Sequence, residues 1–193
     1  MPDKNQMMID DCPDDAVILD IGANHGKYTV KMAKHSNRKI YAFEPEPENI
    51  KKLRNSTEGF DNVEIHEIAI GDEVGITQLM LHPGNQGGHS IHHALDGMQW
   101  KHSLDKTVDV SVMTLDRWCS LNSIDRIDGI KIDVEAHEIE VIRGAMKTLK
   151  KFSPRIALET HKTIDCEELR NLLQECGYDT PELQYNNGYY LEI

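Results

Sequence analysis

Apolar and polar positions alternate along "GIKIDVEAHE", Gly129 to Glu138, with Ile130, Ile132 and Val134 on one side and Lys131, Asp133 and Glu135 on the other. Successive side chains of a strand point to opposite faces, so a strand over 127–135 would carry three charges on one face. The surrounding pattern is different. "AVILDIG" (16–22) is a continuous apolar run of the buried-strand kind, followed by a helix from about Gly26 to His35. "KIYAFEP" (39–45) predicts a second strand, and Pro45 and Pro47 punctuate the chain before a helix over 47–56. "NVEIHEIAI" (62–70) predicts a third strand, closed by a Gly-Asp turn. Beyond 127–135 the pattern predicts a helix over 137–150, a strand over 155–161 and a helix over 165–176. "YDTPELQY" and "GYYLEI", joined by Asn-Asn-Gly, predict a terminal hairpin.

Strands and helices alternating at these lengths predict an α/β fold, a doubly wound, mostly parallel sheet with both faces covered. The middle of the chain breaks that rhythm. Segments 75–82 and 107–115 read as extra strands, a β excursion between the third and fourth strands of the main sheet. They flank a loop, 83–106, too long to be a mere connection. A lid over an acceptor and a plain solvated loop both fit it. "TLDRWC" (114–119) predicts a short helix with Leu115 and Trp118 in the core and no chemistry of its own. With no repeat or composition break, residues 1–193 read as one domain with an acidic leader over 1–15.

Charge narrows the partners. Asp and Glu number 33 against 21 Lys and Arg, a net charge of −12. Such a surface repels phosphate backbones, which argues against a nucleic-acid partner and suits a neutral or cationic ligand. The apolar runs are far shorter than the roughly 20 residues that cross a bilayer. The acidic N-terminus has no apolar h-region of a secretory signal. Cys12, Cys119, Cys166 and Cys176 are scattered without a CxxC pair and read as free thiols in a reducing, cytoplasmic setting.

The candidate chemistry begins at "LDIGANHGKYT", which follows the first strand and opens the first helix with the spacing Asp20-x-Gly22-x-Asn24-x-Gly26. Glycines there let the backbone bend and approach a ligand, and Asn24 tolerates positive φ. Glu44 ends the second strand, 22 residues after Gly22, where an acid can accept hydrogen bonds from both ribose hydroxyls of an adenosine. A dinucleotide site would want Gly-x-Gly-x-x-Gly against a helix N-terminus, and the sequence from Gly22 does not supply it. S-adenosylmethionine has no phosphate and carries an ammonium and a sulfonium, so Asp20 is welcome beside it. A tight βα turn without a ligand would use the same residues.

Six ordered motifs carry a resemblance: "LDIGANHG", "YAFEPEPENIKKL", "NVEIHEIAIGDEVG", "SVMTLDRW", "IDGIKIDVEAHEIEVIRGAMKTLKK" and "PRIALETH". Together they span roughly residues 16 to 161. With them the chain resembles the FkbM-type S-adenosylmethionine-dependent methyltransferases, most specifically in "KIDVE-x-x-E" followed by a helix with Gly-Ala. The resemblance implies the class I methyltransferase fold, a seven-stranded, Rossmann-like, mostly parallel sheet with an antiparallel terminal strand. It implies S-adenosylmethionine as cofactor and methyl transfer to a hydroxyl of a sugar or other small molecule or glycan. Ala136 stands where the family usually has glycine, and Ala69 where many class I enzymes have an acid near the adenine. Asp20, Gly22, Asn24, Gly26, Glu44, Ala69 and Asp133 are the expected cofactor-binding residues.

In parallel sheets ligands bind at the carboxyl ends of strands, near the point where strand order reverses. A strand 127–135 paired with 16–22 would bring Asp133 and Glu135 there, and a strand 155–161 would bring Glu159 and His161. These four form the expected catalytic set, converging on one acceptor cleft. Asp133 and His161 are the candidates for general base toward a hydroxyl. Asp133 suits equally the ammonium of the methionine moiety. A magnesium or manganese ion held by these residues is chemically possible, but no metal site is expected. Transfer to an amine, or adenosyl binding without catalysis, are the alternative functions.

Overall fold

The computed structural model describes residues 12–35, 37–81, 106–160, 165–179 and 189–192. In chain order the first elements are β1 (Val17–Ile21), α1 (Lys27–Ala33), β2 (Lys39–Phe43), α2 (Pro47–Ser56), β3 (Val63–His66), β4 (Ala69–Ile70) and β5 (Gly75–Met80). Then come β6 (Thr107–Met113), α3 (Leu115–Leu121), β7 (Gly129–Ile132), α4 (Glu138–Phe152), β8 (Arg155–Thr160), α5 (Cys166–Glu175) and β9 (Tyr189–Glu192).

The apolar strands assemble into one sheet ordered β3-β2-β1-β7-β8-β9. Every pairing is parallel except β8 with β9, which is antiparallel. The doubly wound, mostly parallel reading therefore holds. Among the described residues this sheet has six strands, and the first limb of the expected terminal hairpin falls mainly on 180–188, outside them. Strand order reverses between β1 and β7, the crevice where such sheets bind ligands.

Each face of the sheet is sealed by a different set of helices. Leu19, Ile21, Phe43, Ile130, Ile132, Ile156 and Leu158 meet α3, α4 and α5 through Leu115, Trp118, Val141, Ile142, Leu149, Leu169 and Leu173. On the other face, Ile18, Ile40 and Ala157 pack under Met32 and Ala33 of α1, and Ala42 under Leu53 of α2. Local chemistry starts the helices. Pro47 opens α2 behind Glu46, whose carboxylate accepts from the Asn49 N–H. Thr114 caps α3, and Asp165 caps α5 through the N–H groups of Glu167 and Glu168.

Two expectations change. The segment 62–70 is not one strand. It breaks after His66, at the edge of the main sheet, and Ala69–Ile70 pairs instead with β6 in a second sheet ordered β4-β6-β5. The strand expected over 127–135 is Gly129–Ile132, and it cannot reach residue 135 because Glu135 (φ 52°) and Ala136 (φ 73°) are left-handed. Lys131 is thus the only one of the three charges within β7, and it is buried in mid-sheet rather than turned to solvent. Apart from Lys106, the loop 83–106 lies outside the described residues.

Candidate functional site

The turn after β1 exists only because it is glycine. Gly22 has φ +79°, and a Cβ there would lie 1.9 Å from the Asp133 carbonyl oxygen. The N–H groups of Gly22 and Ala23 both donate to the Phe43 carbonyl at 3.0 Å, binding this turn to the end of β2. Asn24 follows with φ 51°, an angle asparagine tolerates better than most residues.

Glu44 closes the same junction from β2. Its Oε2 accepts from the Asn24 N–H at 2.8 Å and its Oε1 from the Glu46 N–H at 2.9 Å, with Asn49 Nδ2 at 3.4 Å. The carboxyl is 5% exposed, and burial pushes its pKa above the ordinary value, with the N–H donors of Glu46 and Asn24 pulling the other way. An acid so placed gains from further hydroxyl donors.

The third wall follows β7. The Asp133 N–H donates to Ile21 at 3.1 Å, keeping the backbone in register with β1 one residue past the strand. The chain then turns through Glu135 and Ala136, where the buried Glu138 accepts from the Ala136 N–H at 3.2 Å. The last acid of "KIDVE-x-x-E" thus fastens the left-handed turn. His137, at the N-terminus of α4, sets Nδ1 3.5 Å from Glu140 and lies close against Gly71.

These walls enclose a cleft of about 620 Å³ of free space, part of it open to solvent. Gly22, Asn24, Glu44, Ala69, Asp133 and Glu135, all expected site residues, line it. Three expected residues are not among its lining. Asp20 is fully buried beneath it, its Oδ2 accepting from the Thr29 hydroxyl at 2.6 Å and its Oδ1 3.1 Å from Lys131 Nζ. Gly26 (φ +85°) starts α1 at a point where a Cβ would meet Leu53 of α2 at 2.8 Å, so its place is a helix contact. Glu159 is half-buried on β8, one strand further from β1, and its charge acts on Lys131. The expected convergence therefore brings Asp133 and Glu135 into the cleft without Glu159, while His161 lies outside the described residues.

Sequence reasoning passed over Asn49, Leu79 and His137, which also line the cleft. The signal for His137 was its place directly after the carboxyl end of β7, where ligands of such sheets bind. Asn49 stands in the first turn of α2, beside the acid at the end of β2. Leu79 carried no local signal, because the second sheet brings it in.

A doubly wound sheet with its ligand crevice where β1, β2 and β7 end defines an α/β protein of the class I methyltransferase kind. Methyltransferase FkbM from Methylobacillus flagellatus matches it with a TM-score of 0.58 at 17% identity, covering 83% of this chain and 37% of that one. The chain belongs to the methyltransferase FkbM domain family, whose model matches residues 20–180. Its relatives include the 2-O-methyltransferase NoeI of Sinorhizobium fredii, 32% identical over 149 residues that cover 71% of this chain. The hexuronic acid methyltransferase AglP of Haloferax volcanii is 21% identical over 184 residues, 95% of this chain and 72% of AglP. The chain spans 60% of the length of NoeI.

The residues present fit S-adenosylmethionine, the cofactor this family implies. Asn24 Oδ1 is buried at the cleft without a hydrogen-bond partner among the described residues, a position an incoming donor would satisfy. Glu44 suits hydroxyls, and the carboxylates of Asp133 and Glu135 suit a cation.

Proposed function

We propose that this chain is an S-adenosylmethionine-dependent methyltransferase acting on a hydroxyl of a sugar or other small-molecule acceptor. The observation that carries the reading is the meeting of Asn24, Glu44 and Asp133 on one cleft at the carboxyl ends of three neighbouring parallel strands. The names of NoeI and AglP, both methyltransferases and one acting on hexuronic acid, support the acceptor class. Glu44 and Asn24 would hold the adenosine portion, with the Ala69 wall beside it, and Asp133 the cationic portion.

When bound, the cofactor supplies a methyl carbon already activated by its sulfonium. What remains for the chain is placement, exclusion of water and removal of the acceptor's proton. Asp133 is the base we assign to that proton, since its carboxylate opens onto the cleft and its backbone is pinned to β1. Buried Ile21, Phe43, Ile70 and Leu79 add apolar wall between these polar groups, the kind of lining that disfavours water.

Calorimetric titration with S-adenosylmethionine, S-adenosylhomocysteine and NAD tests the cofactor, and transfer of a labelled methyl group to a panel of oligosaccharides tests the acceptor. Micromolar binding of both adenosyl compounds without NAD, and label in a glycan that Asp133→Asn abolishes, would carry the reading. Binding of NAD alone, or of nothing, would sink it.

A further inference from the structure

In the sheet register Lys131 on β7 stands beside Asp20 on β1, with Ala42 on β2 and Ala157 on β8 flanking the pair. Register neighbours share a face, so a row of small, acid, base and small side chains crosses four strands. All four are buried. From α1, the Tyr28 ring stands 5.3 Å from Lys131 Nζ, and the Thr29 hydroxyl donates to Asp20.

Lys131 Nζ lies 3.1 Å from Asp20 Oδ1 and 3.7 Å from Asp133 Oδ2, and it donates to the Gly22 carbonyl at 3.3 Å. Burial alone would drive a lysine toward neutrality, but Asp20, Asp133 and Glu159 outweigh it and hold the ammonium above its ordinary pKa. Stability is a poor reason to keep such a group, because well-packed apolar side chains often replace a buried ion pair without loss. What the Lys131 ammonium does is reach two walls of the cleft from beneath, the glycine turn after β1 and the carboxylate after β7.

We propose that Lys131 is a positioning residue, whose ammonium fixes the Gly22 carbonyl and the Asp133 carboxylate together and keeps Asp133 ionised next to the buried Asp20. The inference rests on the reading of the cleft as an S-adenosylmethionine site. An ammonium 3.7 Å from the Asp133 carboxylate favours its ionised form, and removing that ammonium raises the pH at which the carboxyl takes up a proton. Asp133 is more solvent-reachable than Asp20, its side chain 27% exposed against none, and can exchange that proton with water.

The test is calorimetric binding of S-adenosylhomocysteine to the full chain between about pH 4.5 and 8.5, for wild type, Lys131→Met and Lys131→Met/Asp20→Asn, a range that starts near the ordinary carboxyl value and runs above it. The double variant removes both halves of the buried pair, so no lone charge is left to unfold the domain. Wild-type affinity should vary less with pH than that of either variant. The variants should bind about tenfold or more weakly at the acidic end of this range and recover part of that loss as pH rises and Asp133 ionises. Carbon NMR should show the Asp133 carboxyl of the double variant titrating at higher pH than in wild type. A folded double variant with wild-type affinity, the wild-type pH profile and an unshifted Asp133 would overturn the inference while leaving the cofactor reading intact. A wild-type chain that binds neither adenosyl compound would overturn that reading, and the inference with it.

Discussion

The Glu44 carboxylate accepts a hydrogen bond from the Asn24 N–H at 2.8 Å, so the acid ending β2 holds in place the turn that follows β1. Two walls of the cleft are therefore set by one side chain. Glu44→Gln keeps the volume but turns an N–H₂ group toward one of the backbone donors of Asn24 and Glu46. We expect affinity for S-adenosylhomocysteine to fall about tenfold or more, about 1.4 kcal/mol or more. Titration calorimetry reads this directly, and unchanged affinity would separate Glu44 from ligand binding.

Gly144, in the middle of α4, faces the Gly71 carbonyl after β4, and a Cβ there would lie 1.9 Å from that oxygen. Alanine is the better helix former by about 1 kcal/mol, yet the contact with rigid backbone should outweigh that gain. Gly144→Ala is expected to destabilise the fold by about 2 kcal/mol net, measured by urea denaturation. A stabilised variant would mean that α4 can shift away from the second sheet at little cost.

Ala136 holds φ 73° in the turn between Glu135 and α4. A left-handed non-glycine residue costs roughly 1–2 kcal/mol, and glycine's extra freedom in the unfolded chain gives back part of the gain. Ala136→Gly should therefore raise stability by about 0.5–1 kcal/mol. A right-shifted denaturation midpoint with an unchanged slope would show it, whereas a lower midpoint would mean that the methyl's packing outweighs the strain.

His66 sits among Tyr41, Phe43 and Trp118, and its Nδ1 is 3.4 Å from Trp118 Nε1, which must be the donor. Burial lowers its pKa, Glu64 opposing and Lys39 adding to the shift. The unfolded chain then binds the proton more readily, so this contribution to stability is present above the ordinary pKa of about 6.5 and fades as pH falls through it. Stability should drop between about pH 7.5 and 5.5, and His66→Phe should show a shallower drop. Equal slopes for the two chains would assign the effect to other groups. Glu44, its pKa raised by burial, works in the opposite sense, losing stability as pH rises above the ordinary carboxylate value.

Much of the site was legible because its signals are local. A glycine turn after an apolar run, an acid ending the next strand and "KIDVE" before a helix each fix backbone geometry within a few residues. In a parallel sheet, that geometry leads to the carboxyl-end crevice, and Gly22, Asn24, Glu44, Asp133 and Glu135 all line it. The elements built from continuous apolar runs came through for the same reason, since burial on both faces leaves such a run few other places.

What the sequence could not settle depended on partners distant along the chain. Whether Asp20 faced a ligand or a lysine was decided by register, which set it beside Lys131, 111 residues on. The break after His66 was decided by β6, which offered Ala69 and Ile70 free ladder groups that the edge of the main sheet did not continue to supply. The second sheet that follows that break also carries Leu79 to the cleft. The sequence by itself determined the order and kind of the central elements, because burial and turn chemistry act over a few residues. Only the tertiary structure decided which charges meet, because pairing energies depend on distances that no local pattern encodes.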